Sequence, residues 1–315
     1  MCMCRCIRKF VCFLCLLISC NLNLICPNAK SNFVTANLLR TVPQQSVVSD
    51  TKSHALYLTI HLHSNASREC LRSVGRIEKY INQICPRYTC QRYNEILYGV
   101  GFGIDYFKKI SPRFRFRGIK NYEYRERSGK FGKLPKSGGD IFVHAKCNVH
   151  GMLFDLAKYI IQNMPRGCVD KFEDIYGWTY RDGRDLSGFV DDETKEKWIG
   201  RTINDSREMI RKPNTSHVAR MVGSDEFEAS KKYEIVRQSQ PFGSLSGGAG
   251  LLFIAYAADT KNFDFMLDRM TGDSDDKIND YIMIFSQCVA GNYWYFPGLL
   301  EFNLLVRNLP SGILL

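Results

Sequence analysis

The sequence predicts an α+β fold in which antiparallel strands carry helices on one face. The segment that starts at Ala55 alternates apolar and polar residues and is rich in β-forming residues, as in a strand. Residues 68–84 then place apolar residues at spacings of three and four and end before Pro86, as in an amphipathic helix. A similar order of strands and helices recurs more loosely after residue 177, which predicts two α+β halves.

The remaining elements of the two halves follow from the same patterns. In the first half they are an apolar run at 95–104, a basic loop, a strand at 140–145 and a helix at 152–162. In the second half they are strands at 233–237 and 251–256, helices at 263–270 and 278–285, and a closing strand at 293–296. We therefore expect an N-terminal half over residues 53–176 and a C-terminal half over residues 177–315 that is short by one strand.

The first 52 residues differ from the rest. Arg5, Arg8 and Lys9 precede the apolar run 10–20, and small residues follow, in the order typical of a secretory signal peptide. The apolar run is shorter than the roughly 20 residues of a membrane span, so a retained membrane anchor is the less favoured alternative. We expect residues 1–29 to be a signal peptide, residues 30–52 a linker, and the mature chain to be in the secretory pathway or extracellular.

The cysteines are divided between this leader and the mature chain. Seven of the 13 lie in residues 1–29, which leaves six in the mature chain: Cys70, Cys85, Cys90, Cys147, Cys168 and Cys288. An oxidising compartment permits disulfides among them, and the pairing is not determined by sequence. Cys85 and Cys90 are close enough for a local bridge, although buried free thiols are an equal alternative.

The formal net charge is +11, and much of the excess lies between Arg113 and Lys136. That loop contains nine basic residues and only two acidic ones, Glu123 and Glu126, and aromatic residues are interspersed among the basic residues. Arginine beside aromatic residues is a pattern that single-stranded nucleic acid binders use. Because a secreted chain meets little nucleic acid, we do not expect nucleic acid as a partner. Binding of this loop to an acidic surface stays an open alternative. A homo-oligomer is also left open.

Six blocks of the second half resemble the dye-decolourising peroxidases, especially their bacterial porphyrinogen-peroxidase-like branch, and occur in that family's order. The blocks are GRDLSGFVDDET (183–194), IGRT (199–202), TSHVAR (215–220), EIVRQSQPFG (234–243), GLLFIAYA (250–257) and MTGDSDDKINDYI (270–282). The N-terminal half matches more loosely, so the resemblance covers residues 55–300. It implies two ferredoxin-like halves with haem b, one iron per chain, held mainly by the second half.

The resemblance also implies the residues that bind the iron. His217 matches the position of the proximal haem ligand, and Asp280 matches the carboxylate that hydrogen-bonds the other imidazole nitrogen. Such a carboxylate fixes the tautomer of the imidazole and makes it a stronger electron donor, which stabilises the oxidised states of iron.

Four further residues match positions on the opposite side of the haem. Asp191 matches the family's distal aspartate and Arg237 its distal arginine, whereas Ser239 and Phe253 match positions in the same cavity. An aspartate can move a proton between the two oxygens of a peroxide, and an arginine can stabilise the negative charge on the leaving oxygen. Without the resemblance, a structural ion pair would be the simpler interpretation of Asp191 and Arg237.

The function implied is the reduction of hydrogen peroxide with oxidation of an organic electron donor. One departure from the family bears on it: Ile199 follows only eight positions after Asp191, where family members have a β-strand and most of a helix. Loss of that strand is expected to open one wall of the haem cavity. The alternatives are therefore an inactive or non-enzymatic haem-binding relative, and a basic secreted binding module that uses the Arg113–Lys136 loop.

Overall fold

The computed structural model describes residues 10–19, 42–111, 122–181, 183, 186, 197–202, 207–224, 227–228, 233 and 235–307. The chain forms two compact units. The N-unit comprises Leu17–Glu123, Gly138–Thr179 and Tyr293–Leu315. The C-unit comprises Met1–Leu16, Tyr124–Ser137 and Tyr180–Asn292. The division therefore differs from a single boundary at residue 177, because part of the basic loop belongs to the C-unit and the last segment of the chain belongs to the N-unit.

The described residues form strands and helices that are numbered in chain order. The strands are β1 (Phe10–Ser19), β2 (His54–Leu62), β3 (Leu97–Phe102), β4 (Arg127–Gly129), β5 (Gly132–Leu134), β6 (Ile141–Cys147), β7 (Val169–Trp178), β8 (Gly223–Ser224), β9 (Phe227–Glu228), β10 (Val236–Arg237), β11 (Gln240–Ser244), β12 (Gly248–Ala257) and β13 (Ser286–Phe296). The helices are α1 (Gln45–Val48), α2 (Leu71–Val74), α3 (Ile77–Ile84), α4 (Ile104–Ile110), α5 (His150–Gln162), α6 (His217–Val222), α7 (Thr260–Thr271), α8 (Ile282–Phe285) and α9 (Leu299–Val306).

The N-unit is built on an antiparallel sheet with β2 at its centre. β2 pairs with β6 on one side and with β7 on the other, and β3 pairs with the free side of β6. The end of β13 continues the sheet beside β3, where Tyr295 is opposite Phe102. Leu56, Leu58 and Ile60 of β2 are fully buried, and helix α5 packs on β2 and on α3. The α+β class with antiparallel strands is confirmed.

Three sequence predictions of elements need correction. The helix expected over residues 68–84 is divided into a 3-10 turn, α2 and α3; the break is at Gly75, where an added Cβ would lie 2.9 Å from Cβ of Val306. Strand β7 was not predicted, because its exposed charged residues hide the alternation. Of the helix expected at 278–285, only α8 is helical, since the backbone before it forms longer-range hydrogen bonds.

The described part of the N-unit contains two disulfides. The bridge Cys85–Cys90 is the local one that the spacing allows. Cys70–Cys168 joins the turn before α2 to the residue before β7, with a Cα–Cα distance of 5.6 Å and a sequence separation of 98. Closing a loop of that length stabilises the fold by about 4.7 kcal/mol in the chain-entropy account. Cys147 and Cys288 are buried and lie outside these two disulfides, so both of the outcomes considered for the cysteines, bridges and buried thiols, occur.

The C-unit is built on the antiparallel strands β10, β11 and β12, with β12 pairing to both of the others. Helix α7 packs on β12, and α6 packs on α7. The hairpin formed by β4 and β5 also contacts α7. Two layers of helix and hairpin therefore cover one side of this small sheet.

Part of the basic loop has partners inside the C-unit. Arg125 forms ion pairs with Asp268 and Asp273, and the fully buried side chain of Arg127 pairs with Asp264 and Asp268. Arg127 is therefore not available to an external acidic surface, and the charge of the exposed Arg125 is offset by its two acidic partners. Residues 112–121 of the same loop lie outside the described residues. The helices that the structure describes are too short or too polar to span a lipid bilayer.

A buried carboxylic acid in the N-unit makes its stability depend on pH. The Tyr295 hydroxyl donates to Glu301, whose oxygens lie 2.8 and 3.0 Å away, and burial raises the pKa of Glu301 to about 8. The folded chain thus keeps this proton up to about pH 8, whereas the unfolded chain releases it near pH 4.5. Between those values the folded state binds more protons, so the contribution of Glu301 to stability is lost as pH rises.

We expect Glu301→Gln to remove this loss, because glutamine keeps a hydrogen-bond acceptor and carries no charge. The melting temperature of the variant minus that of the wild type should increase between pH 5 and pH 8.5 in thermal unfolding monitored by circular dichroism. The exposed Glu95→Gln is the matched control and should show a constant difference. A constant difference for Glu301→Gln as well would contradict this account of the buried acid.

Candidate functional site

A histidine and a buried aspartate form the centre of the candidate site. His217 begins helix α6, and its Nδ1 lies 2.6 Å from Oδ2 of Asp280. Asp280 is completely buried, whereas the His217 side chain is 23% exposed. A carboxylate can only accept, so Nδ1–H is the donor of this bond; in the neutral imidazole the lone pair is then on Nε2, to which no described residue is bonded. A fixed tautomer with an open nitrogen on a partly exposed side chain would suit a ligand to haem iron.

The backbone around Asp280 is held on both sides. The amide of Asp280 donates to the carbonyl of Met270 at 3.0 Å, and the amide of Tyr281 donates to the carbonyl of Thr215 at 2.9 Å. The second carboxylate oxygen accepts the amide of Ile282 at 2.9 Å. The bond from Tyr281 to Thr215 ties the aspartate segment to the residue two positions before His217. Asp280 is therefore fixed in position relative to the imidazole.

A buried arginine fixes helix α6 from its other end. Arg220 forms two hydrogen bonds with Asp276, at 2.7 and 3.0 Å, and its Nε donates to the carbonyl of Arg269. Arg269 returns a bond from its Nε to the carbonyl of Arg220 at 2.8 Å. Hydrogen bonding to Arg220 holds the pKa of the Asp276 carboxyl well below its usual range. The carboxylate therefore stays ionised, and α6 stays attached to α7 and to the segment that leads to Asp280.

A glycine lets the IGRT block approach the same helix. Gly200 has a φ of +88°, and an added Cβ would lie 2.8 Å from Oγ of Ser216. Any other residue there would be strained by its backbone conformation and would collide with the residue before His217.

A second group of candidate residues lies on the small sheet of the C-unit. Arg237 is opposite Ala255 in the register of β10 and β12, so its side chain is on the same face as Phe253, two residues along. The intervening residue Ile254 is buried on the other face. Oγ of Ser239 accepts the amide of Ile254 at 3.2 Å. The sheet therefore places Arg237 and Phe253 on one surface, with Ser239 beside them.

Two arginines are close together on this part of the C-unit. Arg237 has an exposed side chain, yet partial desolvation lowers the pKa of its guanidinium, and the positive charge of Arg201 lowers it further. Like charges on neighbouring side chains repel each other, and an anion placed beside them relieves that repulsion. The arrangement suits a group that gathers negative charge.

The structure thus groups five of the six residues singled out from the sequence into two sets. His217 and Asp280 form one set, and Arg237, Ser239 and Phe253 form the other. Within the described part of the C-unit, no hydrogen bond or ion pair joins the two sets. Asp191 lies outside the described residues, as does the segment 187–196 in which a strand is expected to be missing.

The hairpin formed by β4 and β5 was not predicted from the sequence. The amide of Lys130 donates to Oδ1 of Asn279 at 3.0 Å, and the ring of Phe131 meets that of Tyr281 edge to face, with 5.3 Å between centroids. Asn279 and Tyr281 are the two neighbours of Asp280. One signal was present in the sequence: Asp264 and Asp268 are four residues apart, so they lie on one face of α7, where they match the arginines of the basic loop.

Comparisons with known proteins agree with the sequence blocks. Residues 189–301 match the family model "Dyp-type peroxidase, C-terminal", a range that contains His217, Arg237 and Asp280. A dye-decolorizing peroxidase of Mycobacterium tuberculosis is 26% identical in an alignment of length 307 that covers 81% of this chain and 88% of that protein. A dye-decolorizing peroxidase of Brevibacterium linens is 22% identical in an alignment of length 299 that covers 80% of each chain.

A solved structure shows that the fold is shared. A variant of DypB from Rhodococcus jostii RHA1, in complex with heme, superposes with a TM-score of 0.70 at 22% identity. The match covers 84% of this chain and 98% of that one. The chain therefore has the fold of these proteins over most of its length, in spite of the short interval after Asp191.

Proposed function

The chain belongs to the dye-decolourising peroxidase family, and we propose that its haem iron is bound by Nε2 of His217. The observation that carries this proposal is the 2.6 Å hydrogen bond between Nδ1 of His217 and Asp280, which leaves Nε2 open. As a haem-dependent peroxidase, the protein reduces hydrogen peroxide and oxidises an electron donor. We propose that the cofactor is haem b, with one iron per chain, and that the donor is an organic molecule.

The chain's own residues have separate tasks in this proposal. When bound, haem b supplies the iron at which peroxide is reduced. Asp280 accepts the hydrogen bond from Nδ1–H and keeps His217 electron-rich, which favours the oxidised iron. Arg220 and Asp276 hold α6, and with it His217, in place.

On the peroxide side, the charge of Arg237 would stabilise the oxygen that leaves as the O–O bond breaks. Asp191 would accept a proton from one peroxide oxygen and deliver it to the other. Ser239 and Phe253 would line the cavity around these two residues. These roles come from the match to the family's motif, and the common face of Arg237 and Phe253 on the sheet supports them.

We further propose that the protein is processed in the secretory pathway, with removal of residues 1–29 as a signal peptide. The disulfides Cys70–Cys168 and Cys85–Cys90 support this proposal, because such bonds persist in oxidising compartments and are rare in the cytosol. Residues 10–19 of the same leader are strand β1 in the structure, so a retained leader is the competing outcome. In the part of the chain that the structure describes, no observation favours a haem-binding relative without activity or a basic binding module.

His217→Ala should abolish retention of haem, because the alanine offers no ligand to the iron. The variant and the wild type are reconstituted with haem, desalted and compared by the Soret absorbance per chain. The exposed His150→Ala, on α5 of the N-unit, is the control and should retain haem as the wild type does. Equal haem content in His217→Ala would exclude this residue as the ligand.

Arg237→Leu should retain haem and react with hydrogen peroxide roughly 10²- to 10³-fold more slowly, the usual effect of removing a group that stabilises developing charge. The rate is measured by stopped-flow absorbance at the Soret band. Arg166→Leu, an exposed arginine of the N-unit, should react at the wild-type rate. An unchanged rate in Arg237→Leu would refute the proposed role.

Expression of the full chain in a eukaryotic secretory host tests the proposed processing. The secreted protein should lack residues 1–29 by intact mass, and the denatured, unreduced chain should react with two equivalents of N-ethylmaleimide, at Cys147 and Cys288. A product that keeps the leader would contradict the cleavage. Labelling of six cysteines would contradict the disulfides.

A further inference from the structure

We propose that the hairpin of β4 and β5 positions Asp280 through Asn279, and thereby sets the strength of the hydrogen bond from His217. The effect of the hairpin on haem rests on the proposed function. The positioning of Asp280 by the hairpin concerns the protein alone and does not depend on haem. Neither Asn279 nor the hairpin is among the residues that the family resemblance assigns to the site.

The hairpin is firmly attached to the C-unit. Arg127 has a fully buried side chain that pairs with Asp264 and Asp268, and Arg125 pairs with Asp268 and Asp273. The buried guanidinium of Arg127 also donates to the carbonyl of Arg125. Breaking a buried ion pair is costly, so the base of the hairpin is a rigid support on α7.

The turn of the hairpin reaches the residue before Asp280. The backbone amide of Lys130 donates to Oδ1 of Asn279 at 3.0 Å. An added Cβ on Gly129 would lie 2.8 Å from the same oxygen. On the other side, an added Cβ on Gly272, whose φ is +75°, would lie 2.6 Å from Nδ2 of Asn279. The amide of Asn279 is thus enclosed between two glycines that leave room for it.

The same turn also contacts the residue after Asp280. The ring of Phe131 meets the ring of Tyr281 edge to face, at 5.3 Å and an interplanar angle of 90°. Both neighbours of the aspartate are therefore held by consecutive residues of one hairpin. Rotation or translation of the Asp280 backbone would break one of these two contacts.

The consequence falls on a short hydrogen bond whose strength depends on alignment. Nδ1 of His217 and Oδ2 of Asp280 are 2.6 Å apart, shorter than an ordinary N–H···O bond, and bonds to a charged acceptor are the short ones. The Asp280 segment has further attachments, from Asp280 to Met270 and Ile282 and from Tyr281 to Thr215, that keep it in place when the hairpin contact is lost. Loss of the Asn279 contact is therefore expected to loosen the aspartate without unfolding the unit.

The variant that tests this is Asn279→Ala, which removes the acceptor of the Lys130 amide. Lys133→Ala is the control, because Lys133 is an exposed residue on β5 of the same hairpin, away from the contacts of Lys130 and Phe131. Phe131→Leu is a second variant, which weakens the contact with Tyr281 and changes the chain less. Each protein is checked by circular dichroism to establish that it folds.

The first readout needs no haem: the proton resonance of His217 Nδ1–H in the apoprotein, measured by NMR with ¹⁵N-labelled histidine. We expect an upfield shift in Asn279→Ala and in Phe131→Leu, since a weaker hydrogen bond shields the proton, and no shift in Lys133→Ala. The second readout is the midpoint potential of the haem-loaded protein, which should rise in the two variants and stay unchanged in the control.

An unchanged Nδ1–H resonance in the two folded variants would overturn the inference. If the resonance shifts and the midpoint potential stays constant, the claim that the hairpin acts on the haem is overturned. Failure of the wild type to bind haem through His217 would instead refute the proposed function, and the apoprotein resonance would still decide whether the hairpin positions Asp280.

Discussion

The hydrogen bond between His217 and Asp280 joins two segments that are 63 residues apart in sequence, and much of the C-unit serves to hold its two ends. On the histidine side, Arg220 attaches α6 to Asp276 and to the carbonyl of Arg269. On the aspartate side, backbone bonds and the β4–β5 hairpin fix the buried carboxylate. A buried carboxylate is stable only with such partners, so the site and its support are parts of one arrangement.

Periodicity is enough to predict the elements whose stability comes from local burial. β2, β6 and α5 follow the apolar pattern, and the structure has them within a few residues of the expected bounds. The segment before α8 has the helical spacing of Ile278, Tyr281 and Ile282, yet it is not a helix. Its backbone instead bonds to Thr215 and Met270, partners far away in sequence that no local pattern reveals. β7 escapes prediction for the complementary reason, since its charged side chains are exposed while its backbone pairs with β2.

The candidate site shows the same limit. The family motif indicates His217 and Asp280, and the structure brings their side chains together; it also places Arg237 and Phe253 on one sheet face. From composition alone, the basic loop is expected at the surface. Charge counts do not show that Arg125 and Arg127 form ion pairs with acids of α7. The pairing of Cys70 with Cys168 likewise depends on the tertiary fold, across 98 residues.

Peroxidase activity requires that this chain, with its short interval after Asp191, still forms a working haem cavity. The most direct test is the absorption spectrum of the purified mature protein, reconstituted with haem and titrated with hydrogen peroxide. We predict a Soret band that saturates at one haem per chain and changes on addition of peroxide. The absence of a saturable band, or a band that peroxide leaves unchanged, would contradict the proposed activity.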